Sequence, residues 1–202
     1  MKLKKLLFVT LGSLIMGLGI SITIGVNLGS DPMTLFWIGI ADQLHITVGQ
    51  ANILVCVVLL AIVFFLDRPQ IHVGSLINPA AIAIVTDNVS LSFLASLPFA
   101  ARILMMIAGL AVLAFGIALY ALADYGKGAY EAMVFTVCER GHLAVGVVRT
   151  SCDILLAIAG ILLGAPAAIG TLLAILCMGS GIQIFIKMLT CTPIRRLLPA
   201  ED

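Results

Sequence analysis

A chain of 202 residues that is 62% hydrophobic and only 10% charged, with a mean hydropathy of +1.22, cannot cover its surface with polar groups. Its solvent must be the bilayer, which is its first expected partner. The net charge of +1 carries no signal for nucleic acid, so none is expected.

The first apolar run, residues 6–28, follows Met1-Lys2-Leu3-Lys4-Lys5. It is longer than a signal-peptide core and no small-x-small site closes it, so it reads as a retained membrane helix. At about 1.5 Å per residue it spans the hydrocarbon core. Gly29-Ser30-Asp31-Pro32 breaks the run, and Pro32 suits the first turn of a new helix. A short segment (33–44), a turn (46–49) and a long segment (48–66) follow. After the polar turn Asp67-Arg68-Pro69-Gln70 comes a fourth segment, 73–85, carrying Pro79, and then a polar join over 87–98. The plan repeats over 101–123, 129–140, 145–163 and 169–188, with a second break at Gly126-Lys127-Gly128-Ala129 and a basic tail over 187–196.

A shift of 97 positions takes Gly19 to Gly116, Gly29 to Gly126, Gly49 to Gly146, Asp42 to Glu139, His45 to His142 and Pro69 to Pro166. Gly, acid, His and Pro coinciding at one offset predict an internal duplication, 1–97 and 98–202, a common way to build membrane transport folds. The expected fold is an all-α polytopic membrane protein of two tandem repeats. Each holds about four membrane segments, and the second and sixth are short and Gly/Pro-interrupted.

Four crossings per half give both halves the same orientation. With the N-terminus inside, Lys2, Lys4, Lys5, Arg102, Arg140, Arg149, Lys187, Arg195 and Arg196 lie on or near the cytoplasmic side, and Arg68 and Lys127 outside. This satisfies the positive-inside rule. Six crossings with two re-entrant segments and inverted halves satisfy it about as well. Eight crossings are preferred because the few residues between the second and third segments leave no chain for a re-entrant loop to climb out. The break at 29–32 is expected to dip into the membrane, where non-helical backbone must be buried by protein or line a cavity.

Ionisable groups within membrane segments are expensive and face a cavity or one another. Glu131, Arg149 and Asp153 are such groups, and Arg149 and Asp153, four apart, share a helix face. One reading is a polar site where Arg149 holds an anionic group or a carboxylate carries a proton. The other is a structural ion pair with Arg149 snorkelling to the interface. The first-half counterparts Thr34, Asn52 and Cys56 are uncharged. Arg149 is expected to face Glu131, so Arg149→Ala is expected to cost more than Asn52→Ala. The broken helices offer N–H groups and positive dipole ends at depth. Lys127 beside one favours an anion; Asp31 beside the other favours a cation or caps the helix. The expected substrate-binding residues are Gly29, Asp31, Pro32, Asn52, Lys127, Glu131, Arg149 and Asp153.

The pairs Asp42/His45 and Glu139/His142 have the spacing to share a helix face and hold a metal. Both sit at short-helix ends, however, where His satisfies free carbonyls, so neither metal nor cofactor is expected. Cys56, Cys138, Cys152, Cys177 and Cys191 form no C-x-x-C pair and read as small packing residues. Gly25-x-x-x-Gly29 and Gly160-x-x-x-Gly164 allow close helix approach, between halves or across a homodimer. No phosphate-binding loop, nucleophile elbow or His-rich helix is present, so no enzyme is expected.

The order of glycine-rich break, Pro, short helix, Gly-ended turn, long helix, then Gly-Ser or Gly-Thr opening the next helix resembles the YczE/YyaS/YitT family of bacterial integral membrane proteins. The resemblance covers nearly the whole chain. It is carried by Gly29-Ser30-Asp31-Pro32 with Gly49, by Gly126 with Glu131, Gly146 and Arg149, and by Gly170-Thr171; Ala129 stands where Pro is usual. It implies a poorly characterised protein with no agreed transport substrate, in a family some of whose members are tied to antibiotic production. Together with the charges it gives a multi-pass protein of the bacterial cytoplasmic (inner) membrane, both termini cytoplasmic. The expected function is a transporter or permease-like protein for a small polar or anionic solute, its site between the repeats. The competing class is a non-transporting membrane regulator or partner. A water-accessible pocket reaching Glu131 and Arg149 separates the two.

Overall fold

The computed structural model describes residues 2–66 and 71–191. Among these lie eight α-helices and no strand: α1 (Lys2–Val26), α2 (Pro32–Leu44), α3 (Val48–Leu66), α4 (Val73–Asn88), α5 (Phe99–Leu122), α6 (Ala129–Gly141), α7 (Val145–Leu162) and α8 (Ile169–Cys191). A 3₁₀ turn, Ser92–Ser96, lies in the join before α5. The expected polar turn at 67–70 and the tail beyond 191 lie outside the described residues. Helices α1, α3, α5, α7 and α8 are long and apolar enough to cross a membrane. Helix α4 has 16 residues, and α2 and α6 have 13 each.

The short helices are bounded by local chemistry. The Asp31 carboxylate accepts the Thr34 N–H at 3.2 Å, and Pro32 opens α2. His45 ends α2 in the left-handed conformation (φ 53°), its N–H donating to the Ala41 carbonyl. His142 ends α6 in the same way (φ 50°), donating to the Cys138 carbonyl.

The centre of the bundle is a seam of small residues between α1 and α5. A Cβ on Gly12 would stand 2.8 Å from the Tyr120 nitrogen, and one on Gly19 2.5 Å from the Leu113 nitrogen. Only glycine lets the two backbones approach so closely. The pairing runs in reverse order along the chain, and Arg102 at the start of α5 donates to the Val26 carbonyl at 2.9 Å. Helices α1 and α5 are therefore antiparallel. Helix α4 runs with α1: Gly74 lies against Val9, Asn78 donates to Ser13 Oγ at 3.0 Å, and Gly17 lies against Val85. Helix α3 runs against α4, with the Gly49 N–H on Asp87 Oδ1 at 2.9 Å and Asn52 on the Pro79 carbonyl at 2.9 Å.

These directions overturn the expectation that both halves share one orientation. Because α1 and α3 run oppositely, the chain between them leaves and returns on one side. The break itself makes the descent. Asn27 (φ 53°) and Gly29 (φ 88°) reverse the chain and bring Ser30 Oγ within 2.8 Å of Thr23 Oγ. Helix α2 then climbs back. Helix lengths fit either direction, which is why the sequence placed the α2–α3 turn at the wrong end. Arg102 and Lys127 change sides accordingly. Arg102 lies at the end of the bundle opposite the start of α1, and Lys127 at the same end as that start, beside Ser75. Arg68 lies outside the described residues.

Several details recur between distant positions. The Gly170 N–H donates to the Leu28 carbonyl (2.8 Å), and the Gly74 N–H to the Tyr125 carbonyl (3.0 Å). Gln43 donates to the Leu163 carbonyl (3.0 Å), and Arg140 to the Leu66 carbonyl (2.6 Å). Asp124 and Gly126 (φ 43° and 107°) repeat the reversal of Asn27 and Gly29, so Ala129 in place of Pro leaves the second break intact. Gly25 packs on Leu91 and Gly160 on Leu35, within one chain. Of the cysteines, Cys177 and Cys191 are exposed on α8, correcting their reading as packing residues.

Candidate functional site

The N-terminal turns of α2 and α6 meet at one cavity of about 80 Å³. Asp31 and Pro32 of α2, Tyr130 and Glu131 of α6, Asn52 and Cys56 of α3, and Arg149 and Asp153 of α7 all line it. Of the residues expected from sequence, Asp31, Pro32, Asn52, Glu131, Arg149 and Asp153 come together on this wall. Gly29 and Lys127 do not. Gly29 packs against Ala168 and Thr171. The Lys127 ammonium is drawn over the Phe135 ring, 3.8 Å from its centroid, and the Lys127 carbonyl accepts from Ser75 Oγ at 2.5 Å. The positive charge expected beside the second break is spent on an aromatic face.

A carboxylate covers the positive end of each short helix. Asp31 does so from the position before α2. On α6 the capping residue is Gly128, without a side chain. Glu131, three positions on, folds back so that its carboxylate stands where a Cβ of Gly128 would be. Both place negative charge against free N–H groups and the helix dipole.

Asp153 has two partners. Tyr130 Oη donates to its Oδ1 at 2.5 Å, and Arg149 Nε lies 4.0 Å from its Oδ2. The Arg149 guanidinium also sits 5.6 Å from the centroid of the Tyr130 ring. Among the described residues Arg149 pairs with Asp153 and makes no ion pair with Glu131, contrary to expectation. The physical reason is that Glu131 is held at the start of its own helix while Tyr130 fills the space beside Arg149. The Arg149 and Asp153 side chains are 28% and 19% exposed.

The lining from α3 is uncharged and buried. Asn52, with no exposure, donates to the Pro79 carbonyl at 2.9 Å and accepts from Cys56 Sγ at 3.2 Å. Sequence reasoning missed Asn78, Trp37 and Tyr130. Asn78 was legible in part, because a polar residue beside a proline inside an apolar helix marks a local polar need. Nothing in the spacing signals Tyr130. Trp37, the chain's single tryptophan, lines the cavity at 5% exposure, and its indole N–H has no hydrogen-bond partner among the described residues.

A family described as one of unknown function, DUF6198, matches residues 3–187. An uncharacterised protein of Haemophilus influenzae is 29% identical over 180 residues, covering 89% of this chain and 82% of that protein. The uncharacterised membrane protein YczE of Bacillus subtilis is 24% identical over 169 residues, covering 83% of this chain and 79% of YczE. The uncharacterised protein YyaS of the same organism is 24% identical over 192 residues, covering 91% of this chain and 93% of YyaS. These matches bear out the resemblance to YczE and YyaS. No solved structure matches the chain.

Proposed function

From the premise that the chain belongs to this family of unknown function, we propose that it is a membrane permease for a small polar solute, bound between two inverted repeats. The observation that carries the reading is the convergence of two short, interrupted helices, by their N-termini, on one polar cavity. Secondary transporters built from inverted repeats bind substrate where such half-helices meet. The paired hydrogen bonds of Leu28 with Gly170 and of Tyr125 with Gly74 support a pseudo-twofold between the repeats. On this reading the chain crosses six times, and α2 and α6 are re-entrant. The solute is moved and not chemically changed.

We place the start of α1 in the cytoplasm of a bacterial inner membrane. Lys4, Lys5, Lys127, Arg140, Arg149 and Lys187 then lie toward the inside and Arg102 toward the outside, which satisfies the positive-inside rule as well as the eight-crossing arrangement does. In a variant without the native cysteines, an impermeant thiol reagent added to whole cells should label Arg102→Cys. Lys127→Cys should label only after permeabilisation. The opposite pattern would reverse the orientation.

Transport requires water to reach the cavity. In the same background, Glu131→Cys should react with a water-soluble thiol reagent in membranes. A position sealed against reagent from both sides would remove the permease reading and leave the membrane-regulator reading in its place.

A further inference from the structure

Resting on the permease reading, we propose that the cavity takes an organic ammonium ion bearing a hydroxyl or carbonyl oxygen, and not an anion. The balance of basic and acidic groups on the wall points to the sign. Asp153 is already paired with Arg149, the one basic side chain of the lining, which leaves the Asp31 and Glu131 carboxyls without a basic partner there. The two helix ends that would otherwise attract an anion are already covered by Asp31 and Glu131. Lys127, the other cation near a break, lies over Phe135 and off the wall.

The class of cation follows from the rest of the lining. A hydrated metal ion wants an oxygen cage, whereas this wall is largely apolar, with Met16, Met33 and Met178 among its side chains. Trp37 lines the cavity, and indole is the aromatic group that binds ammonium best in a desolvated site. Its buried, unpartnered indole N–H is a donor without an acceptor, and a ligand oxygen would satisfy it.

Trp37 is the chain's single tryptophan, so its emission reports on the cavity and nowhere else. The test titrates the purified full chain in detergent with three molecules of one shape. They are choline, the neutral 3,3-dimethylbutan-1-ol and the anionic 3,3-dimethylbutanoate, with sodium chloride as a fourth arm. Choline should shift the emission saturably and bind about tenfold or more tighter than its neutral isostere, because a charge is matched in a poor solvent. Glu131→Gln and Asp31→Asn, the latter retaining a capping oxygen, should each weaken choline about tenfold. A tighter response to the butanoate would overturn the cation assignment and leave the permease reading standing. A saturable response to sodium alone would overturn the organic class. Silence toward all four would overturn the inference, and the thiol accessibility of Glu131→Cys would then show separately whether the permease reading falls with it. The three isosteres are compared on the unaltered chain, so the outcome does not depend on a variant folding.

Discussion

The two breaks share a backbone and differ in chemistry. Each reverses the chain through a pair of positive φ angles, and each is followed by a 13-residue helix that ends in a left-handed histidine. Yet the first helix is capped by Asp31 from outside its first turn, whereas the second has no side-chain cap and carries the Glu131 carboxylate inside its first turn, beside Gly128. The long helix that follows the first carries a buried, neutral pair, Asn52 with Cys56; the one that follows the second carries Arg149 with Asp153, 28% and 19% exposed. The matching backbones fix where N–H groups and helix ends lie. The charge at each end differs, so one cavity has both neutral and ionic lining.

The largest difference between the breaks should appear when their glycines are filled. Gly29→Ala forces a side chain into a positive φ and against the backbone nitrogen of Ala168 at 3.0 Å. It should cost about 2–4 kcal/mol of unfolding free energy in detergent. Gly126→Ala meets His72 Cβ and the Ser75 hydroxyl at 2.9 Å, with the nearest backbone atom at 3.3 Å, and should cost about 1–2 kcal/mol. Equal costs would mean that packing around the breaks is alike and only the φ matters.

The walls come next, and the structure reverses the ranking expected from sequence. Asn52→Ala leaves the Pro79 carbonyl and the Cys56 thiol without their partner in a fully buried place and should cost about 1–3 kcal/mol. Arg149→Ala removes a long, 4.0 Å ion pair, while Asp153 keeps its bond from Tyr130. It should cost less than about 1 kcal/mol. Melting temperatures of the two variants rank them, and a larger loss for Arg149→Ala would restore the ionic cluster as the structural element.

A transplant of one cap into the other half sharpens the comparison further. Gly128→Asp alone should destabilise by about 1 kcal/mol, since its Cβ would collide with the Glu131 carboxylate. Adding Glu131→Thr, the residue found at the matching position 34, should recover that loss by recreating the first cap. Failure of the double variant to recover would show that the second half needs its carboxylate inside the helix.

The smallest effect belongs to the histidines. His45→Gly and His142→Gly should each be neutral or stabilising by up to about 1 kcal/mol, because glycine adopts the left-handed conformation freely. The two changes should match, since the local backbones match. A loss in either would point to a use for that imidazole beyond the cap.

Helix extents were legible in the sequence because Gly, Pro and polar turns interrupt apolar runs at the observed boundaries. Asp31 was legible as a cap for the same local reason. Direction was not legible, because an apolar helix of given length spans equally well either way. The reversal lies in the φ angles of Asn27 and Gly29, and Asn27 is a residue whose left-handed preference is weak evidence by itself. The members of the site were largely legible as expensive polar groups in apolar segments. Their pairing was not, since Tyr130 wins Asp153 through a position across two helices that no spacing rule addresses.

The glycine seam between α1 and α5 also sets an order of events during synthesis. Gly12 and Gly19 find Tyr120 and Leu113 only after roughly a hundred further residues have been made. At about 5–20 residues per second, that is a wait of roughly 5–20 s. Until then this flank of the first helix has no matching surface, and α4, which covers a neighbouring flank, is itself made late. Helix α1 is thus locked long after it is made, and a chain interrupted before α5 presents a bare strip of backbone to whatever inserts it.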